Sequence, residues 1–202
     1  SKSEFLNNRK KIILKIKNNF KKKKIIIRSS SLSEDNANLS NAGKYLSISD
    51  LKSNTKVIEI SINKIIKKFD DLKDQILVQE FIDKTEMSGV IFTREANYNS
   101  PYYFINYDTS GKTDIITSGR NNSTIQAACI FRDKINIDKK FKSLLKSIKD
   151  IEKMMGSDRI DIEFAKKNKK WLLFQCRHLP GHNLKNKKID NEVSKTLVNL
   201  KK

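Results

Sequence analysis

Asp161 and Glu163 stand two residues apart in an apolar-alternating run at 160–165, and Gln175 and Arg177 stand two apart in a second run that follows a polar turn at 167–169. Strand side chains alternate between faces, so each pair shares one face while Ile160, Ile162 and Phe164 enter a core. If the two runs pair as an antiparallel hairpin, two carboxylates, an amide oxygen and a guanidinium converge on one surface. That donor set suits a hard divalent cation held beside phosphate oxygens. The same residues also read as a surface hairpin with a charge pair across it, and the hairpin alone does not separate the two readings.

Arg28 follows three isoleucines, Ile25, Ile26 and Ile27, at the end of a buried strand, where a charge packs poorly but meets an anion well. Ser29, Ser30 and Ser31 add hydroxyl and main-chain donors. A strand-end ion pair with Glu34 or Asp35 is the alternative. The polar stretch 29–47 has little periodicity and includes Gly43, so its backbone is free to approach a ligand. Long loops in compact domains usually carry function.

The elements that must position these groups follow from apolar spacing. Phe5, Leu6, Ile12, Ile13, Ile16 and Phe20 recur at helical intervals ahead of the basic turn 21–24. Ile58, Ile62, Ile65, Ile66, Phe69 and Leu72 predict a second helix, followed by strands over 75–81 and 89–93. Further strands are expected at 102–107 and 125–131, with a Gly-, Ser- and Thr-rich loop or hairpin at 109–124. Phe141, Leu144, Leu145, Ile148, Ile151 and Met155 line a third helix, which Gly156 is placed to end. The order of elements is that of an α+β chain, with no internal repeat.

Composition sets the outer limits. The 202 residues, 37% of them apolar, suffice for one core or two small lobes. A net charge of +19 draws polyanions, whether nucleic acid, an anionic membrane or nucleotide phosphate, and does not choose among them. Most of that charge is Lys mixed with Asn and Ile along the whole chain, the pattern of an AT-rich coding bias. Cys129 and Cys176 lie in apolar strand segments and read as reduced core thiols, which fits a cytoplasmic protein. No apolar run approaches the ~20 residues of a membrane span, and the start lacks a signal-peptide core.

Four segments in order give these candidates a context. The stretch IIIRSSSLSEDNANLSNAGKYLSI, then ILVQEFI at 76–82, SGVIFTR at 88–94, and DIEFA with LLFQCRHL ending at Leu179 resemble the nucleotide-binding domain of the phosphoenolpyruvate synthase and pyruvate phosphate dikinase family. The resemblance covers roughly residues 24–179. It implies an ATP-grasp-like fold, a mixed or antiparallel sheet with flanking helices, over residues 1–182, with 183–202 as a linker or terminal helix. The family's earlier lobe, with its Gly-Lys motif, has no counterpart before Arg28, so the resemblance implies either a piece of a larger multidomain enzyme or a reduced lobe.

Carried over by position, the resemblance implies that Arg28 and Arg177 bind ATP phosphates and serve catalysis, and that Glu163 and Gln175 ligate Mg2+. Asp161 would orient that shell or join it. Ser40, Ala42, Gly43 and Lys44 would belong to a loop over the triphosphate. Gln79, Glu80, Phe81 and Ile82 would form the hinge that meets the adenine edge, chiefly through main chain. Asp114 would take a ribose-binding role, although Gly111, Lys112, Thr113 and Asp114 depart from the family's G-L-G-E. His178 replaces the family's proline, and both it and His182 lack the Gly-rich context of the family's phosphorylated histidine. They read as structural or surface residues.

The implied activity is an ATP-dependent phosphotransferase that leaves AMP and phosphate, working through a swivelling phosphohistidine domain and an acceptor domain. The segment INYDTSGKTDIITSG resembles family versions from bacterial surface-sugar clusters, which ranks L-glutamine kinase ahead of pyruvate and of an antibiotic hydroxyl. A reading of another class is a non-catalytic polyanion-binding module using +19 and Lys21, Lys22, Lys23 and Lys24. Few aromatics accompany the basic runs, which argues against stacking on single-stranded nucleic acid. A third reading is a degenerate ATP-grasp domain that binds nucleotide as a regulatory part.

Overall fold

The computed structural model describes residues 1–30, 46–96, 98–111, 113, 124–133, 137–179, 191–192 and 195–196. The chain divides into two compact units, Ser1–Ile82 and Asp83–Lys202. Each has its own helix-covered sheet and its own core, so the α+β class holds in both.

The first unit contains α1 (Lys2–Asn19), β1 (Lys24–Ser30), β2 (Ser47–Lys52), α2 (Thr55–Ile66) and β3 (Gln75–Glu80). Ser1 caps α1 by accepting from the Glu4 N–H, and Asn54 caps α2 by accepting from the Val57 N–H. The three strands are antiparallel in the order β2-β1-β3. Ile25 and Ile27 on β1 join Phe5, Ile13, Ile58, Ile62, Ile65 and Phe69 in the core, so alternation sends Ile26 and Arg28 to the opposite face.

Two expectations are corrected here. Ser47, the last residue of the polar stretch, opens a strand that the sequence reading did not expect, β2 over Ser47–Lys52, whose alternation is broken by Asp50 at φ 58°. The second helix stops at Ile66 and leaves Leu72 exposed. The carbonyls of Phe69, Leu72 and Asp74 instead accept from Lys2 Nζ, Ser3 N and Lys2 N. The segment after α2 thereby satisfies the first N–H groups of α1, which a continued helix could not do.

The second unit runs β4 (Met87–Phe92), β5 (Tyr102–Asp108), β6 (Gln126–Phe131), α3 (Lys139–Met155), β7 (Ile160–Lys167) and β8 (Lys170–His178). Its five antiparallel strands lie in the order β6-β5-β4-β7-β8. Phe141, Leu144, Leu145 and Ile148 of α3 pack on Ile91, Tyr103, Ile105, Ile160, Ile162 and Phe164. Gly156 ends α3 at φ 63°, as its position predicts.

Gly89, in the centre of β4, is required by space. A Cβ there would lie 2.4 Å from the Asn106 carbonyl oxygen and 2.9 Å from Cζ of Phe164. The cysteine expectation needs correction, since Cys129 is exposed and Cys176 only half-buried. Both are free thiols, and burial raises the pKa of each, with Asp161 adding to the rise at Cys176. Among the described residues, no helix is long and apolar enough to cross a membrane.

Candidate functional site

The hairpin of β7 and β8 forms in the register that alternation predicts. Asp161 lies opposite Arg177 and Glu163 opposite Gln175, ahead of a bulge between Glu163 and Phe164. The turn is made by Asn168 and Lys169, both at positive φ (51° and 62°), the twist a tight antiparallel hairpin needs. All four polar side chains therefore share the face of the sheet opposite α3. Along that face the pairing continues through Phe92 and Val90 of β4 to Phe104 and Asn106 of β5.

Within the hairpin, Arg177 Nε donates to both carboxylate oxygens of Asp161, at 3.0 and 2.8 Å. Asp161 is buried, Glu163 and Gln175 are half-buried, and Arg177 is exposed on the edge strand. The result is two adjacent rungs, Asp161 ion-paired with Arg177 and Glu163 lying across from Gln175.

A polar clamp that sequence reasoning missed holds the start of β7. Thr93, fully buried, donates its hydroxyl to the Asp158 and Ile160 carbonyls and accepts from the Ile160 N–H at 2.9 Å. Arg94 pairs with Asp158 at 2.8 Å. Burial pushes the Asp158 carboxyl up, but the hydrogen bond and charge of Arg94 outweigh it and hold the pKa below its ordinary value. Arg132, at the end of β6, forks onto both oxygens of Glu152 at 2.7 and 2.9 Å and donates to the Thr93 carbonyl. The signal for this clamp was present as the Thr-Arg pair that closes SGVIFTR.

In the first unit, Arg28 lies opposite Leu77, and Ile26 opposite Gln79, on the sheet face away from the helices. Gln79 and Arg28 are thus brought onto one face. Glu80 is not, because it pairs across from core-facing Ile25 and forms an ion pair with Lys23. β3 is an edge strand of its sheet, and Phe81 N donates to the Lys24 carbonyl at 2.9 Å. By alternation, the main-chain groups of Glu80 point to the other side of β3.

Ser40, Ala42, Gly43, Lys44, Asp114 and His182 lie outside the described residues. His178 closes β8 and lines a cleft of about 650 Å³ with Arg132, Lys149, Glu152 and Asp158. A second cleft, about 540 Å³, is lined by Asp83, Lys84, Thr85, Thr109, Ser110 and Gly111. It follows the 79–82 segment directly in sequence.

Among the described residues, no group of three or more His, Cys, Asp or Glu side chains gathers as a metal cluster. A Mg2+ site of the expected kind does not require one, because Mg2+ keeps several waters and takes one or two protein oxygens beside substrate phosphates. The Glu163 and Gln175 rung offers an oxygen donor set of that size.

No protein-family model matches the chain, and no curated protein does. Among solved structures, D-alanyl-alanine synthetase A from Vibrio cholerae aligns with 85% of this chain and 47% of its own, at 16% identity and TM-score 0.44. The chain thus spans about half the length of that synthetase.

Proposed function

We propose that this chain binds MgATP and is the nucleotide-binding part of an ATP-dependent phosphotransferase. The observation that carries the reading is the paired hairpin face, where Glu163 stands opposite Gln175 and Asp161 opposite Arg177. Glu163 and Gln175 would hold Mg2+, which supplies charge neutralisation at phosphate oxygens when bound. Arg177 serves the phosphates directly. Phosphoryl transfer needs little covalent help from a protein beyond positioning and electrostatic stabilisation, and these residue types provide both.

In the first unit, Arg28 is assigned to phosphate, and Gln79, Glu80, Phe81 and Ile82 to the adenine edge. The outward main chain at Glu80 supports a main-chain role there, while the Lys23 partner of the Glu80 carboxylate argues against a side-chain one. Ser40, Ala42, Gly43 and Lys44 are assigned to the triphosphate loop, and Asp114 to ribose. The assignment includes cytoplasmic residence and partnership with phosphohistidine and acceptor domains of a longer enzyme. The acceptor ranked first is the L-glutamine amide, with pyruvate as the alternative.

A second reading has its own observation. Ten of the first 24 residues are Lys or Arg against one acid, Glu4, and Lys10, Lys11, Lys15 and Lys17 are exposed along α1. A polyanion-binding module would use that surface. The two readings part on Glu163→Ala. Nucleotide binding should lose its Mg2+ dependence, whereas nucleic-acid binding should be indifferent to the change and fall steeply with salt.

A further inference from the structure

We infer that β6 is a docking edge for a second copy of this chain, pairing antiparallel with its own counterpart across a two-fold axis. β6 ends the five-stranded sheet, with β5 on its inner side. Just past it, the Arg132 N–H donates to the Pro101 carbonyl at 3.0 Å, which fixes the parity of the ladder. Alternation then turns the main-chain groups of Gln126, Ala128 and Ile130 toward β5 and those of Ala127, Cys129 and Phe131 outward. Among the described residues, no strand or loop meets that outer row.

The other edges carry devices that discourage strand addition. β2 is twisted at Asp50, φ 58°, and its pairing with β1 is irregular between Ile25 and Ile27. β3 ends on Glu80, ion-paired with Lys23, and β8 carries exposed Lys170, Arg177 and His178. β6 has no such device. Residues 121–131 contain neither a charge nor a proline, in a chain of which 32% is charged. Gln126, Ala127 and Cys129 are exposed along it.

A second copy is the occupant that these features fit. The run IQAACIF is apolar, rich in strand formers and uncharged, the composition that pairs with its own kind. Across a two-fold axis, each outward N–H of one strand meets an outward carbonyl of the other. Two copies at +19 repel over most of their surfaces, whereas contact along β6 brings no charges together. The screening length falls from about 10 Å at 0.1 M salt to about 3 Å at 1 M, so the dimer should tighten as salt rises. Association with an acidic partner or a nucleic acid would weaken instead.

Sedimentation equilibrium of the 202-residue chain, from about 1 μM to about 1 mM protein at low and high salt, tests this directly. Wild type should form a reversible dimer that tightens with salt. Ala127→Lys and Ala127→Glu should each weaken it by about tenfold or more, since either places a charge on the pairing edge. The glutamate lowers the net positive charge, so a dimer limited only by overall repulsion would strengthen in that variant. Ala127→Pro removes one outward N–H, leaves the ladder to β5 its donors, and should also weaken the dimer. If it does not fold, the two charged variants decide. A nitroxide on Cys129, in a Cys176→Ser background, should show dipolar broadening on dimerisation, because either two-fold register brings the Cys129 Cα atoms within about 8 Å.

A chain that stays monomeric across that range at both salts would overturn the inference. So would a dimer unchanged in all three Ala127 variants, one that loosens with salt, open-ended association past the dimer, or a dimer without broadening at Cys129.

Discussion

Gly89 shows how a motif letter becomes a physical requirement. The strand around it is closed on one side by the Asn106 carbonyl and on the other by the Phe164 ring. Gly89→Ala should destabilise the second unit by about 3 kcal/mol, measured by urea unfolding, because the neighbour at 2.4 Å is backbone and cannot turn aside. Tyr103 makes a prediction in pH. Burial, with Glu152 and Asp158 adding to it and Arg132 opposing, raises its pKa from 10.0 to about 12. Between those values the unfolded chain releases the phenol proton while the native state keeps it, so stability falls as pH rises through that window. Tyr103→Phe should flatten the alkaline limb of the stability profile, and an unchanged limb would place the loss elsewhere. The residue scale is also where sequence reading was least complete. Asp161, Glu163, Gln175 and Arg177 were legible because alternation alone puts them on one face. Thr93, Arg94, Arg132 and Glu152 were not, because their roles depend on contacts between residues 20 to 67 positions apart, which periodicity does not report.

At the scale of elements, the strongest signals were those with a single physical origin. The 3.6-residue apolar spacing of α3 and its terminating Gly156 were read correctly, as were the two strands around the Asn168 turn. β2 was missed because one of its six residues is twisted to positive φ, so the sequence SISDLK shows no clean alternation. The end of α2 was misplaced because its continuation caps α1, a tertiary demand that overrides local spacing. The two turn geometries give opposite predictions. Lys169 stands at φ 62°, where a side chain is strained and glycine is not, so Lys169→Gly should stabilise the hairpin by about 0.5–1 kcal/mol in chemical denaturation. Gly156→Ala, at a φ of 63°, should cost about 1 kcal/mol by the same measurement.

Across the whole molecule, two separate cores make stability a property of each unit. Ile62 is buried in the first core and Ile148 in the second. Ile62→Ala should lower hydrogen-exchange protection in residues 1–82 by the equivalent of about 2–4 kcal/mol, with the strands of the five-stranded sheet far less affected. Equal loss in both units would show that they unfold as one. The net charge of +19 acts at this scale as well, and it makes any binding of nucleic acid salt-dependent without specifying it. Length and apolar content admit two small lobes, but the division after Ile82 comes from tertiary contacts that spacing along the sequence does not report. The phosphate-loop and ribose assignments fall on Ser40, Ala42, Gly43, Lys44 and Asp114, which the described residues do not include.

The central claim is that the hairpin face holds MgATP, and calorimetric titration of the chain with ATP, with and without Mg2+, tests it most directly. Wild type should bind with an affinity that depends on Mg2+. Glu163→Ala should remove that dependence, and Arg177→Ala should weaken binding by about tenfold or more, as loss of a charge-assisted phosphate contact requires. Binding that survives unchanged in both variants, or a wild-type chain that takes up no ATP, would contradict the account.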